Sequence, residues 1–339
     1  MPVVDVHTHM YPPAYMQLLR NRTSVPYVKS FPDDPIAGDR LVILPAEDTA
    51  STSRGRPIGP GYYDVNEKLA FMRKHHIDIP VISLANPWLD WLPSNEAAQI
   101  ARQVNDDVER MCAEHEGQLY AFGTLPLSAP AEQVVAEIER LASLPHHRGI
   151  IMGTTGLGSG LDDPALDPIY AALEKHQQLV FLHPHYGLPT SVYGPRASDY
   201  GHVLPLALGF PLETTIAVTR MLLSGVWDRF PKLNVLIAHS GEARQLENRR
   251  DVWSVLKENV FLDAVIYSEV GLRAAIDASG VDRLMFGTDH PFFPPLAEGE
   301  TEWLSVKLNS QAVQTALEDK QMANAVMGGN AARILRLPR

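Results

Sequence analysis

The sequence has a single cysteine, Cys112, among its 339 residues. A disulfide framework and a zinc cluster built from thiolates are therefore both excluded. Basic residues are also scarce, since 29 lysines and arginines stand against 40 aspartates and glutamates and leave a net charge of −11. Such a surface is unsuited to nucleic acid or anionic lipid, so we expect neither partner. No run of 18 apolar residues occurs, so we expect no membrane span and a cytoplasmic location.

Short apolar runs alternate with amphipathic segments along the whole chain, and 45% of the residues are hydrophobic. We predict eight strands, at Val3–Thr8, Ile79–Ala85, Tyr120–Leu125, Gly149–Gly153, Leu179–His183, Asn234–His239, Val260–Val265 and Arg283–Thr288. Strands that are apolar throughout are buried on both faces, as in parallel sheets covered by helices. The alternation predicts one domain over residues 1–339, a closed (β/α)8 TIM-type barrel, with an open doubly wound sheet as the alternative.

A long proline-rich segment, residues 11–61, interrupts this alternation after the first predicted strand. A connection of this length far exceeds a usual loop, so we expect it to be functional or to carry short structure of its own. In a barrel it would leave the C-terminal end of the strand, where active sites are built, which predicts a lid or a substrate wall. The final stretch, Met322–Leu337, has helical spacing and is expected to pack outside the barrel.

Residues able to bind a metal ion stand at the ends of several apolar runs. His7 and His9 are two residues apart on the first predicted strand, so their imidazoles point to the same side. His183 and Asp289 end two further runs, and in a barrel these strand ends converge on one mouth. A carboxylate buried after an apolar strand needs a charged partner or a metal ion. We therefore predict that these four residues form a metal site, for which imidazole suits zinc, manganese or iron.

Two further histidines allow more than one interpretation. His239 ends another apolar run and could be a ligand, a proton shuttle or a substrate contact. His185 forms a second His-x-His pair with His183 and is either a neighbour of the site or a loop residue. We expect the histidines on helices and in loops to be solvated, namely His75, His76, His115, His146, His147 and His176.

Together these motifs resemble those of the metal-dependent decarboxylases of the amidohydrolase superfamily. That branch includes aminocarboxymuconate semialdehyde decarboxylase and γ-resorcylate decarboxylase. The motifs are His-x-His on strand one, His after strand five, His-Ser-Gly at 239–241, Gly-Thr-Asp-x-Pro-Phe at 287–292 and the stretch 209–215. Within this branch the chain is most similar to fungal isoorotate (uracil-5-carboxylate) decarboxylases, over nearly its whole length.

The resemblance implies non-oxidative decarboxylation of isoorotate to uracil and CO2 in pyrimidine salvage. It implies zinc, with manganese as the alternative ion, held by His7, His9, His183 and Asp289. It implies catalytic roles for Asp289 and His239, and a substrate pocket lined by Arg56, Asn86, Phe210 and Phe292. A homodimer or homotetramer is also expected by resemblance.

Two departures from the family pattern and three alternative functions stay open. The fourth predicted strand, Gly149–Gly153, carries no lysine to bridge two metal ions, which favours a single ion. The connection after His239-Ser240-Gly241 is shorter than in the subgroup. The nearest alternative is an ortho-hydroxybenzoate decarboxylase, whose substrate presents the same pair of oxygens. A metal-dependent hydrolase and a metal-binding protein without enzymatic activity are the others.

Overall fold

The structure is a computed structural model that describes residues 2–31, 38–44, 48, 55–155, 159–185, 187–200, 204–238, 252–292, 294–295 and 302–338. The strands among them are β1 Val4–Met10, β2 Tyr27–Ser30, β3 Asp39–Val42, β4 Arg56–Ile58, β5 Ile79–Leu84, β6 Tyr120–Thr124, β7 His147–Gly153, β8 Leu179–His183, β9 Val235–Ile237, β10 Val260–Asp263 and β11 Leu284–Met285. The helices are α1 Pro13–Arg20, α2 Pro60–Tyr63, α3 Val65–Lys74, α4 Ser94–Glu114, α5 Ala131–Ser143, α6 Asp167–Lys175, α7 Phe210–Leu223, α8 Val226–Arg229, α9 Val252–Glu258, α10 Glu269–Ser279, α11 Leu304–Ala316, α12 Lys320–Asn324 and α13 Asn330–Ile334.

Within the described residues, eight strands form one parallel sheet in the order β1-β5-β6-β7-β8-β9-β10-β11. The segment after β11 hydrogen-bonds back to β1, where the amide of Val6 donates to the carbonyl of Phe286 at 3.0 Å. The amide of Asp289 donates to the carbonyl of His7 at 2.7 Å on the same side. These bonds form the seam that closes the sheet, so the predicted (β/α)8 barrel is confirmed and the open doubly wound sheet is wrong.

Each of the eight predicted runs contains a barrel strand, and the predicted and observed strands differ only in where they begin and end. The largest difference is in the last run, Arg283–Thr288, of which only the two residues of β11 form a strand. The chain leaves the regular ladder there, and Asp289 has a backbone φ of 59°. Asp289 lies four residues after the end of the strand, and its left-handed conformation takes its side chain out of the strand's alternation.

Alternate residues of the strands belong to two separate apolar clusters. On β8, Phe181 packs in one cluster, while Val180 and Leu182 pack in the other. On β10, Phe261 joins the first cluster and Leu262 the second. Because side chains alternate across a strand, Phe181 and Phe261 face the barrel interior, while Val180, Leu182 and Leu262 belong to a cluster that lies under the helices. This double burial explains why the strands are apolar at consecutive positions.

The insertion after β1 carries short structure of its own, which was one of the two expectations for this segment. Helix α1 is followed by an antiparallel sheet of β2, β3 and β4. Tyr15 on α1 is fully buried and donates from its hydroxyl to the carbonyl of Trp88 at 2.6 Å. The described part of the insertion is thus tied to the loop that follows β5. Its role as a lid or wall stays a prediction.

One helical stretch, Pro205–Leu223, is long and apolar enough to cross a membrane by length and composition alone. The buried side chains of α7 include Ala217, Val218, Met221 and Leu222, which pack in the cluster under the helices. The exposed side chains of the stretch include Leu208, Leu212, Ile216 and Leu223, which we call the apolar stripe. The stretch therefore packs along the barrel and leaves the apolar stripe on the surface.

Two histidines at the start of β7 correct an expectation. His146 and His147 are 8% and 4% exposed, so the prediction that they are solvated is wrong. Their Nδ1 atoms lie 2.8 Å and 3.0 Å from the two carboxylate oxygens of Glu109 on α4. A shared carboxylate partner allows both imidazoles to be buried.

Candidate active site

Four side chains able to bind a metal ion meet at the C-terminal end of the barrel. His7 and His9 lie on β1, His183 ends β8 and Asp289 follows β11. One possible ligand atom from each residue lies within 4.8 Å of the other three, and all four residues are buried. The imidazole centroids are 5.0 to 5.1 Å apart. The structure thus brings the four predicted ligands together, and their role as ligands stays a prediction.

A second buried carboxylate, Asp263 at the end of β10, holds the ring of His7. Nδ1 of His7 donates to Oδ2 of Asp263, and Nε2 of His7 lies 3.3 Å from Oδ1 of Asp289. Burial lowers the pKa of His7, but the charges of Asp289 and Asp263 outweigh burial and raise the pKa to about 10. The two carboxylates therefore favour a positive charge at this position, either a proton or a metal cation.

The other two histidines are oriented in a similar way. Nδ1 of His9 lies 2.9 Å from the hydroxyl oxygen of Ser83, and Nδ1 of His183 donates to the carbonyl of Pro184 at 2.8 Å. Metal-binding histidines usually bond such a partner through one ring nitrogen and present the other to the ion. Burial lowers the pKa of His9 to about 4, which keeps its ring neutral, as a ligand must be. The three imidazoles and one carboxylate therefore fit a divalent metal ion.

A cavity of about 950 Å³ opens beside these residues. His183 and Asp289 belong to its lining, and so do the four residues predicted to contact substrate, Arg56, Asn86, Phe210 and Phe292. The ring of Phe292 stands edge-on to that of His9, with 5.6 Å between the centroids. The structure places the predicted substrate residues and the predicted metal ligands around one space. Their contacts with a substrate stay predictions.

Asn86 is oriented by the loop that follows β8. Its side-chain amide donates to the backbone carbonyl of His185, and its backbone carbonyl accepts a hydrogen bond from the hydroxyl of Tyr11. His185 is 3% exposed, with Nδ1 3.2 Å from the hydroxyl oxygen of Thr155 and 3.4 Å from Oδ2 of Asp90. Of the two interpretations left open for His185, the structure supports a buried neighbour of the site.

Glu213 on α7, which the sequence analysis did not single out, anchors the same loop. Its carboxylate accepts hydrogen bonds from the amides of His185 at 2.7 Å and Gly187 at 2.5 Å. It also accepts one from the hydroxyl of Thr154. Because the loop begins directly after His183, Glu213 restrains the backbone next to a predicted ligand. Glu213 lies inside the stretch 209–215. That stretch was one of the motifs of the family resemblance, but the resemblance implied no role for Glu213.

Two other residues were missed, and the first carried a usable signal. Asp263 is the one charged residue within the predicted run Val260–Val265, and a carboxylate buried in an apolar strand needs a charged partner or a metal ion. Tyr267 lines the cavity with a backbone φ of 58°, and its amide donates to Oδ1 of Asn309 on α11 at 2.8 Å. No local pattern distinguishes this tyrosine from a surface one. His239, predicted to be catalytic, lies outside the described residues.

The sequence matches known proteins over most of its length. A sequence model of the amidohydrolase family matches residues 4–337. The chain is 27% identical over 301 residues to 2-amino-3-carboxymuconate-6-semialdehyde decarboxylase of Dictyostelium discoideum, with 83% of this chain and 79% of the relative covered. It is 29% identical over 255 residues to gamma-resorcylate decarboxylase of Rhizobium sp. (strain MTP-10005), with 66% and 76% covered.

Solved structures are similar as well. The apo crystal structure of Metarhizium anisopliae IDCase is 53% identical with a TM-score of 0.93, and the match covers 99% of this chain and 97% of that one. The structure of 5-carboxyvanillate decarboxylase of Novosphingobium aromaticivorans DSM 12444, complexed with manganese and 4-hydroxy-3-methoxy-5-nitrobenzoic acid, shares the fold. It is 21% identical with a TM-score of 0.75, and the match covers 99% and 96% of the chains. The family match and the fold agree with the residues of the site, and the chain belongs to the amidohydrolase family.

Proposed function

We propose that the protein catalyses the non-oxidative decarboxylation of isoorotate to uracil and CO2. The observation that carries the proposal is the meeting of Arg56, Asn86, Phe210 and Phe292 with Asp289 around one cavity. A guanidinium can bind a carboxylate through two hydrogen bonds, an amide can pair with a ring edge, and phenyl rings pack against a planar ring. The 53% identity to Metarhizium IDCase, read as isoorotate decarboxylase, supports the same substrate.

We further propose zinc as the resident ion, with manganese as the alternative, held by His7, His9, His183 and Asp289. Three imidazoles and a carboxylate accept either ion, and the related carboxyvanillate decarboxylase structure contains manganese. When bound, a divalent ion supplies a Lewis acid for hard oxygen donors of the substrate. Elemental analysis of protein purified without chelators, followed by reconstitution of the apoprotein with each ion, tests this choice.

Asp289 is the group that we propose to deliver the proton. Direct loss of CO2 from a vinylic ring carbon would leave an unstabilised carbanion, so protonation of that carbon precedes it. The electron pair of the ring double bond takes the carboxyl proton of Asp289 at C5; the bond from C5 to the carboxylate then breaks, CO2 leaves, and that electron pair restores the ring double bond. Arg56 holds the substrate anion and Asn86 binds the ring edge. His239 is proposed to orient or resupply the proton of Asp289.

A second candidate is an ortho-hydroxybenzoate decarboxylase. Such a substrate presents the same carboxylate and neighbouring oxygen, and the cavity wall includes the apolar side chains of Leu206, Val265 and Leu304. The gamma-resorcylate decarboxylase relative favours the same candidate at the level of the family. Hydrolysis with two bridged metal ions is less favoured, because the described strand β7 has no lysine.

Three further proposals concern the whole molecule. We propose that the chain forms a homodimer or homotetramer through the apolar stripe, which would otherwise stay in water.

Residues 11–61 are proposed to form a wall of the cavity, because Arg56 of β4 belongs to the cavity lining. A cytoplasmic location is proposed because the sequence has one cysteine, Cys112, and so no disulfide framework.

The first experiment incubates metal-replete protein with isoorotate and follows uracil by chromatography. Uracil that disappears after chelation and returns with zinc or manganese would support reaction, substrate and metal dependence together. Arg56→Met should raise KM, whereas the control Arg110→Met, on an exposed part of α4, should change neither KM nor kcat. Turnover of 2,6-dihydroxybenzoate without turnover of isoorotate would favour the alternative. No product from either acid, with metal bound, would contradict a decarboxylase of either kind.

A further inference from the structure

A lysine buried beside the barrel seam has no part in the proposed reaction. Lys68 on α3 is 0% exposed, although lysines are almost never fully buried unless their charge is paired. Its Nζ donates to the hydroxyl oxygen of Thr8 at 2.7 Å, to Nδ1 of His290 at 2.6 Å and to the carbonyl of His290 at 3.2 Å. The three protons of an ammonium group are thus all bonded.

Both partners of this lysine are neighbours of proposed metal ligands. Thr8 lies between the two histidines of β1, and His290 directly follows Asp289. The hydroxyl of Thr8 donates to the carbonyl of His290 at 3.0 Å, and the amide of His9 donates to the same carbonyl at 2.8 Å. Lys68 therefore stands where the first strand meets the segment after the last one.

A buried carboxylate, Asp5, binds the residue on the other side of Asp289 in the chain. Asp5 is 0% exposed and accepts hydrogen bonds from the amide and hydroxyl of Thr288, at 3.1 Å and 2.6 Å. The hydroxyl oxygen of Thr288 accepts a hydrogen bond from the amide of His290 at 3.2 Å. We call Asp5, Thr8, Lys68, Thr288 and His290 the seam network.

The residue that the seam network encloses has an unusual backbone. Asp289 has a φ of 59°, in the left-handed region that residues with a Cβ rarely adopt. Such a conformation persists only where the surroundings hold it in place. Thr288 and His290, on either side of Asp289, are both fixed by side chains of the seam network. The orientation of the Asp289 carboxylate thus depends on bonds made outside the cavity.

We propose that Lys68 is a positioning residue that fixes the carboxylate of Asp289. By joining Thr8 to His290, its ammonium group sets the position of that carboxylate relative to the histidines of β1. The inference rests on the proposed role of Asp289 as metal ligand and proton donor. It assigns no contact between Lys68 and the substrate or the ion.

The test uses the full-length protein loaded with cobalt(II), whose visible absorption reports the geometry of its ligands. Lys68→Met keeps most of the side-chain length and removes all three hydrogen-bond donors. We expect a shifted cobalt band and a metal dissociation constant raised about 10- to 100-fold, as for other residues that orient ligands. On isoorotate, kcat should fall while KM changes little, because the substrate contacts are intact.

A second variant and a control separate positioning from folding. Thr8→Val removes only the hydroxyl that joins Lys68 to His290, and it should shift the cobalt band in the same direction even if Lys68→Met fails to fold. Asn259 is 2% exposed and donates to the carbonyls of Pro231 and Leu233 at the opposite end of the barrel. The control Asn259→Ala should lower thermal stability without changing the cobalt spectrum.

An unchanged cobalt spectrum and metal affinity in Thr8→Val, or in folded Lys68→Met, would overturn the proposal. The spectrum requires no substrate, so it stays readable if isoorotate is the wrong acid. Wild-type protein that binds cobalt but leaves isoorotate intact contradicts the proposed substrate and not the role of Lys68. Wild-type protein that binds no cobalt contradicts the proposed metal site and, with it, the role of Lys68.

Discussion

His7 and Asp263 share a hydrogen bond inside the barrel, and neither side chain is exposed to solvent. The bond places one imidazole proton on Nδ1, so Nε2, the atom that faces Asp289, is the one that would exchange its proton for a metal ion. The two residues come from the first strand and from the seventh strand of the barrel. The barrel geometry thus provides both the predicted ligand and the carboxylate that orients it.

Asp263→Asn tests this relationship. The amide keeps the shape of the side chain but loses the charge that favours a cation at His7, so metal affinity should fall about 10- to 100-fold. Competition with a chromogenic chelator measures the dissociation constant. Asp277→Asn, at an exposed position of α10, is the control and should bind metal like the wild type. Equal affinity in the two variants would contradict an orienting role for Asp263.

Asp289→Asn addresses the proposed proton donor. An amide has no acidic proton to deliver, so kcat should fall by at least about 10² to 10⁴, the usual contribution of a positioned acid. Metal content is measured on the same sample, because metal retained without turnover separates the acid role from the ligand role. Substantial residual turnover would rule out Asp289 as the proton donor.

Glu213→Gln tests the anchor of the loop after β8. The carboxylate receives two backbone amides, and an amide group in its place retains one oxygen to accept them. We expect the free energy of unfolding to fall by about 1.5 to 3 kcal/mol, the value of one hydrogen bond to a charged group. Urea unfolding measures the change. Glu132→Gln, exposed on α5, should be neutral, and equal stability of both variants would contradict the anchoring role.

The pair of buried histidines at Glu109 predicts a pH dependence of stability. Burial raises the pKa of Glu109, but hydrogen bonds from His147 and His146 outweigh burial and lower the pKa from 4.5 to about 2. Because the folded pKa lies below the unfolded one, the stabilisation is present above pH 4.5 and is lost as the pH falls towards 2. Glu109 is partly exposed, so solvent screening reduces the effect to about 1 to 2 kcal/mol.

Glu109→Gln should therefore be less stable than the wild type at pH 7, and the difference should narrow below pH 4.5. Denaturant unfolding at a series of pH values measures it. Glu114→Gln, exposed on the same helix, serves as the control. A difference between Glu109→Gln and wild type that stays constant from neutral to acidic pH would speak against these hydrogen bonds as the cause of the lowered pKa of Glu109.

Replacing Leu212 and Ile216 of the apolar stripe by lysine tests the proposed assembly. Two charges placed in a buried interface would be costly to desolvate, so the variant should shift towards the monomer. Light scattering coupled to size-exclusion chromatography gives the mass. Val270→Lys is the control, since Val270 is 79% exposed on α10, outside the stripe. An oligomer unaffected by both changes would place the interface elsewhere.

The eight barrel strands and the clustering of His7, His9, His183 and Asp289 were predictable because each signal is local. An apolar run that ends in histidine or aspartate needs only the barrel geometry to deliver its side chain to the common mouth. Asp263 lies within a predicted apolar run instead of at its end, but the cost of burying a carboxylate applies to it as well. The number and order of the barrel strands could be predicted from the sequence, whereas the residues at which strands end could be predicted less well.

Lys68 and Glu213 illustrate what sequence reasoning missed. Both are charged residues on helices, where such side chains usually face water. Packing against the seam buries Lys68, contact with the loop after β8 partly buries Glu213, and both contacts join residues far apart in the chain. Likewise, His146 and His147 are buried because a carboxylate on a neighbouring helix meets them, which no local pattern indicates.

The seam determines when, during folding, the protein becomes able to bind a metal ion. Thr8 and His290, whose contact closes the barrel, are 282 residues apart in the chain. The cluster of predicted metal ligands spans this junction, so it forms only when the largest loop of the polypeptide has closed. An ion bound there links the beginning of the chain to its final third and favours the closed state by mass action. Metal uptake during refolding should thus be a late event that marks completion of the ring.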